Sequence, residues 1–250
     1  MKNKSKELTI VTVVKNDRPG IEKTIKSIIS QKTKSIEYII VDGNSKDGTK
    51  KIINKFKNKI DKIISENDKG IYYAMNKGIS NSSGNIIGFC NSGDILFPNG
   101  LKTILKNFKK KKIDVLFATV KRNYIGKTVI KHGFKKNRIF YNFDFATTHS
   151  TGFYIKKKIH DEIGVYDTKF IISADYDFYL RLIKSNKFKL GLTNKTNIIG
   201  EMMSGGHSSK FSYIKHLNEE TKIRLKNRQN LIVVLLIYLN SVIKNFRKII

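Results

Sequence analysis

The run Leu8–Val14, LTIVTVV, is apolar and β-branched at both alternations and is flanked by polar residues. That pattern predicts a strand buried on both faces. The period then changes. In NDRPGIEKTIKSIISQ, Ile21, Ile25, Ile28 and Ile29 share one helical face, and Pro19 suits a first helical turn. The alternation recurs down the chain. IEYIIVD (36–42) predicts a second strand, and DGTKKIINKFKNK a helix capped by Asp47, with Ile52, Ile53 and Phe56 inward. DKIISE (61–66) predicts a third strand, GIYYAMNKGISNS (70–82) a helix, NIIGFC (85–90) a fourth strand, and PNGLKTILKNF a helix starting at Pro98. Strand and helix in this order predict an α/β fold, with a mostly parallel central sheet flanked by helices.

The middle of the chain is less regular. Residues 113–121 and 127–134 predict strands around a turn at Gly126, 148–164 a strand then a helix, 173–186 a helix, and 189–194 an extended segment. The C-terminal run LIVVLLIYL (231–239) is apolar on every side and flanked by Lys and Arg. It is shorter than the ~20 apolar residues that span a bilayer. Such a helix either lies in the interface of an anionic membrane or packs on the domain or on a partner chain. A main domain over 1–215 and a basic, apolar helical segment over 216–250 are the expected units.

Charge changes the picture only in part. The 250 residues carry a net charge of +29. The basic residues are spread along the whole chain, and no nucleic-acid recognition motif or aromatic stacking pattern accompanies them, so a nucleic-acid partner is not expected. The one cysteine, Cys90, lies in an apolar run and reads as a buried thiol, with no intrachain disulfide possible. The N-terminal apolar run reads as a strand rather than a signal peptide, which predicts a cytoplasmic protein.

The chemistry gathers at one edge. In an open parallel α/β sheet, ligands bind beyond the carboxyl ends of the strands. Asp42 ends the second strand, Glu66, Asn67 and Asp68 follow the third, and Asn91 and Asp94 follow the fourth. Gly43, Gly70 and Gly93 permit tight turns there. Acids at such an edge suit a divalent cation, Mg²⁺ or Mn²⁺, with phosphates of a ligand completing its shell. The chain has no Walker sequence, no G-x-G-x-x-G after the first strand, no G-x-S-x-G elbow and no zinc spacing.

Six stretches, in this order and spacing, resemble glycosyltransferase family 2 with its GT-A fold: TIVTVVKN, IIVDGNSKDGT, ENDKGIYYAMNKGI, IIGFCNSGD, THSTGFYIK and SADYDFYLRL. They span roughly residues 8 to 210 and are most similar to bacterial enzymes that build surface polysaccharides such as O-antigen, capsule or colanic acid. The resemblance implies an inverting transfer from a nucleotide-diphosphate sugar, UDP favoured, to a lipid-linked glycan at the inner face of the cell membrane. It places Thr12 and Asn16 in the nucleotide pocket and Asp42 on the base. Asp68, Gly70 and Asn76 would close over nucleotide and sugar, with Lys77 nearby and Asn91 at the donor edge. Asp94 would hold the metal, Mn²⁺ or Mg²⁺, and Asp175 would be the catalytic base, with Asp177 supportive and able to pair with Arg181. His149 would line the acceptor or diphosphate side, and His207 follows a Gly-Gly turn able to close over the diphosphate. His132, His160 and His216 are expected at the surface. Gly93, Tyr73 and Ala174 depart from the family's usual acids. These departures keep a second reading open, a catalytically weak partner subunit of a polysaccharide assembly complex. A nucleotidyltransferase is disfavoured because KNDRPG is not its Gly-rich basic loop.

Overall fold

The computed structural model describes residues 6–141, 150–203 and 205–246. The strands are β1 Leu8–Val14, β2 Ile36–Asp42, β3 Lys62–Ser65, β4 Ile86–Phe89, β5 Ile95–Leu96, β6 Val115–Phe117, β7 Thr119–Tyr124, β8 Lys127–Lys131, β9 Phe153–Lys156, β10 Leu190–Leu192 and β11 Ile198–Met203. The helices are α1 Arg18–Ile29, α2 Thr49–Lys55, α3 Ile71–Asn81, α4 Gly100–Lys111, α5 Lys157–Ile163, α6 Ala174–Ser185, α7 Tyr213–Lys226 and α8 Leu231–Lys244. A seven-stranded sheet runs β10-β6-β9-β4-β1-β2-β3, and a four-stranded sheet runs β5-β11-β7-β8.

β1, β2, β3 and β4 are mutually parallel, so their carboxyl ends share one edge, as the alternating pattern predicts. β9 is the exception. It lies antiparallel between β4 and β6, which makes the large sheet mixed. The expected strand over 113–121 divides at Ala118: β6 stays in the large sheet and β7 enters the small one.

The two-sided burial of β1 follows from its sequence. Leu8, Ile10 and Val14 pack with Ile21, Ile25 and Ile28 of α1 on one face. Val11 and Val13 pack with Met75 and Ile79 of α3 on the other. Pro19 falls in the first turn of α1, with Asp17 as its cap, accepting from the Gly20 N–H at 3.1 Å. Asp47 stands one residue before the Gly48 cap of α2, where its Oδ1 accepts from the Thr49 N–H at 3.0 Å.

α7 spans the expected boundary at 215/216 and packs on α6, while α8 folds back on α7. α8 buries Val234 and leaves Leu231, Ile232, Leu235, Leu236, Leu239 and Ile243 each more than half exposed. Among the described residues no helix is long and apolar enough to cross a membrane.

Candidate active site

The loops beyond β1 and β2 are joined by their own side chains. Asn16 adopts a left-handed conformation, its N–H donates to Ser45 Oγ at 2.8 Å, and its Oδ1 accepts from the Lys46 N–H at 2.8 Å. Asp42 is fully buried. It accepts from the Ser45 N–H at 3.2 and 3.3 Å and from Ser65 Oγ at 2.6 Å. The expected base-contacting acid thus shapes the 43–45 loop, and its carboxylate is closed to solvent. Thr12 departs further from expectation. It points into the α1-side core, donating to the Cys90 carbonyl at 2.7 Å and lying 3.1 Å from the Tyr38 hydroxyl. Side chains alternate along a strand, and Thr12 falls on the inward alternation.

Beyond β3, Lys77 bridges Glu66, at 2.7 Å, and Asp68 Oδ1. The Asp68 side chain is 5% exposed, and its Oδ2 has no hydrogen-bond partner. Gly70, at φ +147°, turns the chain into α3, a conformation that L side chains rarely adopt. Asn76 does not reach this edge. It grips the Tyr166 backbone, donating to its carbonyl at 2.8 Å and accepting from its N–H at 3.1 Å. Asn91 Oδ1, beyond β4, is also buried without a partner. Buried acceptors are normally satisfied, so Asp68 Oδ2 and Asn91 Oδ1 are the places here where a ligand hydroxyl or N–H gains most.

Asp94 is held by the protein's own donors. It is 6% exposed. Its Oδ2 accepts from Thr151 Oγ1 at 2.7 Å and Ser150 Oγ at 3.3 Å, and its Oδ1 from the Met203 N–H at 3.1 Å. Burial pushes its pKa up to about 6. Asp94 therefore ties the end of β4, the approach to β9 and the end of β11 together. Neighbouring positions offer little to a cation. Gly93 has no side chain and sits at φ +92°, and Ser92 Oγ donates to Asp17 Oδ2 at 2.6 Å. Among the described residues no three His, Cys, Asp or Glu side chains form a group able to hold a metal ion. A divalent ion at Asp94 would have this carboxylate as its one acidic ligand, with phosphates of a ligand completing its shell.

Asp175 is the second residue of α6 and is 8% exposed. Its Oδ1 accepts from its neighbour's N–H, Tyr176, at 2.9 Å. The Tyr72 hydroxyl of α3 lies 3.0 Å from the same oxygen and 2.8 Å from the Ile172 carbonyl, so one proton serves both. Burial, reinforced by the Asp175 charge, raises the Tyr72 phenol well above its ordinary range and keeps it a donor. The segment before Asp175 is held from every side. Glu219 of α7 accepts from the N–H groups of Ile171, Ile172 and Ser173 at 3.0, 2.7 and 2.6 Å. His207 Nε2 lies 2.9 Å from the Ile171 carbonyl oxygen. Asp177 is fully buried and supportive, accepting from Arg181 Nε at 2.9 Å, Lys226 Nζ at 2.9 Å and Asn227 Nδ2 at 2.8 Å.

Sequence reasoning overlooked Tyr72 and Glu219. Tyr72 lies about a hundred residues before Asp175 in the chain, and nothing in the spacing links either Tyr72 or Glu219 to Asp175. His149 lies outside the described residues. His160 is buried rather than exposed, packed on the Phe178 ring at 4.9 Å. His132 pairs with Thr119 Oγ1 at 2.7 Å, and His216 with the Ser208 carbonyl at 2.9 Å.

The model of the Glycosyl transferase family 2 domain matches residues 9–164, more than half of the chain. The chain belongs to glycosyl transferase family 2. An uncharacterised glycosyltransferase of Mycobacterium tuberculosis is 28% identical over 178 residues, covering 70% of this chain and 68% of the relative. Staphylococcus aureus TarS 1–349, solved with UDP-GlcNAc, superposes with a TM-score of 0.71 at 17% identity, covering 96% of this chain and 73% of that one. The mannosyltransferase PcManGT from Pyrobaculum calidifontis, solved with GDP-Man and Mn²⁺, gives 0.61 at 13% identity, over 90% and 63%. The protein is a family 2 glycosyltransferase with the GT-A fold. Asp175 and Glu219 both lie beyond the matched residues.

Proposed function

We propose that this glycosyltransferase moves a sugar from a UDP-sugar to a lipid-linked glycan, with inversion, in bacterial surface-polysaccharide synthesis. The observation that carries this reading is Asp175, held at its Oδ1 by Tyr72 at the head of α6. Asp175 takes the proton of the acceptor hydroxyl as that oxygen attacks the anomeric carbon. The bond from that carbon to the diphosphate breaks on the opposite face, and UDP leaves with the electron pair. Asp68 Oδ2 and Asn91 Oδ1 accept from donor hydroxyl or N–H groups, and the 43–45 loop shaped by Asp42 seats the base. Uridine is favoured because TarS, of the same fold, was solved with UDP-GlcNAc.

The lipid side of the proposal rests on α8, whose exposed leucine and isoleucine face belongs to a chain of net charge +29. An apolar face with flanking cations suits the interface of an anionic bilayer. Peripheral attachment at the inner face of the cell membrane follows. The NSG stretch before Asp94 favours one rival, a catalytically weak partner subunit.

A thermal-shift and turnover experiment decides between them. UDP should raise Tm in wild type and in Asp175→Asn, and only wild type should release UDP from a UDP-sugar in the presence of acceptor. Turnover by Asp175→Asn at the wild-type rate would remove Asp175 as the base. A UDP shift with no turnover in wild type would favour the partner subunit.

A further inference from the structure

Residues 167–172 and α7 enclose a groove of about 630 Å³. Lys169, Lys215, Lys222 and Lys226 line it, over an apolar floor that includes Phe170 and Ile171. Lys215, Lys222 and Lys226 recur at seven and four residues, so α7 presents them on one face.

Lysines are abundant everywhere in this chain, and the charge balance is what sets this groove apart. Both acids that line it are already committed. Asp167 pairs with Lys226 at 2.9 Å, and Glu219 accepts the three backbone N–H groups of 171–173. Lys226 also serves the buried Asp177 at 2.9 Å. Lys169, Lys215 and Lys222 form no direct ion pair among the described residues, and four lysines stand against two acids, which leaves an excess of positive charge around a concave, partly apolar surface. An ammonium on a flexible stem is a point-charge partner for phosphate.

The groove also has a defined position relative to the base. Segment 171–173 is a wall, with the Ile172 carbonyl facing Tyr72 of α3 and the N–H groups facing Glu219 of α7. The wall runs directly into Asp175. The groove therefore adjoins, on the α7 side, the segment that leads into Asp175. α8 adjoins it, since Tyr238 donates to Asn218, a groove residue, at 3.2 Å.

We infer that this groove is an acceptor subsite that binds the phosphate or diphosphate ester of a lipid-linked acceptor and so presents its sugar to Asp175. The inference rests on the glycosyltransferase reading above and adds to it the anionic class of the acceptor and the residues that hold it.

The test uses the full chain saturated with UDP, so that the donor edge is blocked, and inorganic pyrophosphate as the probe in calorimetry. Lys215→Glu/Lys222→Glu should weaken pyrophosphate binding tenfold or more, while Lys102→Glu/Lys106→Glu on α4 should leave it within twofold. Equal losses in both pairs, or no binding by wild type, overturn the subsite. An unchanged UDP shift in both pairs shows that they are folded. If UDP gives no shift at all, the donor reading fails, and the same titration on the free protein still decides the groove. A second arm uses neutral vesicles with and without a polyprenyl phosphate. Capture that needs the polyprenyl phosphate and is lost in Lys215→Glu/Lys222→Glu supports the lipid-linked source. Binding of pyrophosphate without such capture overturns it in favour of a soluble phosphorylated glycan.

Discussion

At the scale of single residues, the two hydrogen-bonding systems around Asp175 decide what the site can do. The Tyr72 hydroxyl stabilises the Asp175 carboxylate by a charge-assisted bond, worth about 1.5–3 kcal/mol. Tyr72→Phe should lower kcat about tenfold or more and leave KM for the donor unchanged. A merely structural Tyr72 would lower Tm and leave kcat in place. Glu219→Ala strips the acceptor from three N–H groups. Urea denaturation should show a loss of about 2 kcal/mol, with kcat falling more than KM rises. His160 gives a pH dependence. Burial against aromatic rings lowers its pKa from 6.5 to about 4. The unfolded chain therefore binds the proton more readily, and stability is lost as pH falls from 6.5 toward 4. Between pH 7 and pH 5 this group alone costs about 2 kcal/mol. Glu220, raised to about 7 by burial, acts in the opposite sense. The comparison of wild type with His160→Leu isolates the histidine: the variant should lose less stability over that interval.

At the scale of elements, close approach sets the packing. α3 lies on β1 through Gly78, where a Cβ would meet Val11 Cγ1 at 2.4 Å. Gly78→Ala should cost about 1–3 kcal/mol, read by denaturation, because neither the helix nor the central strand can withdraw. The α7–α8 hairpin carries the opposite logic. Leu235 and Leu239 face solvent. Leu235→Lys/Leu239→Lys should keep Tm within a degree or two and abolish sedimentation with anionic vesicles. Retained sedimentation would remove α8 as the membrane contact.

At the scale of the whole molecule, two sheets meet at Asp94, which joins the β4 end to β11 across the small sheet. If Asp94 is a junction alone, the UDP-induced rise in Tm should be the same in EDTA as in Mn²⁺. Asp94→Asn should keep the fold, since the Thr151 and Ser150 hydroxyls can turn to accept from an amide. A Mn²⁺-dependent UDP shift that Asp94→Asn abolishes would show that it also holds the metal.

Period and order along the chain were enough to determine the strand–helix alternation, the two-sided burial of β1 and the edge at which Asp42, Asp68, Asn91 and Asp94 collect. Those features follow from local spacing, and local spacing is what a sequence displays. It also placed Asp175 at the head of a helix and paired Asp177 with Arg181, four residues on. Which way each polar group points was decided only in three dimensions. Thr12 and Asn76 turned into the packing, Asp94 met Thr151 and Met203, and Glu219 met the backbone before Asp175. Each of these partners is remote in the chain, and a buried carboxylate is claimed by whichever donors the tertiary fold brings within 3 Å.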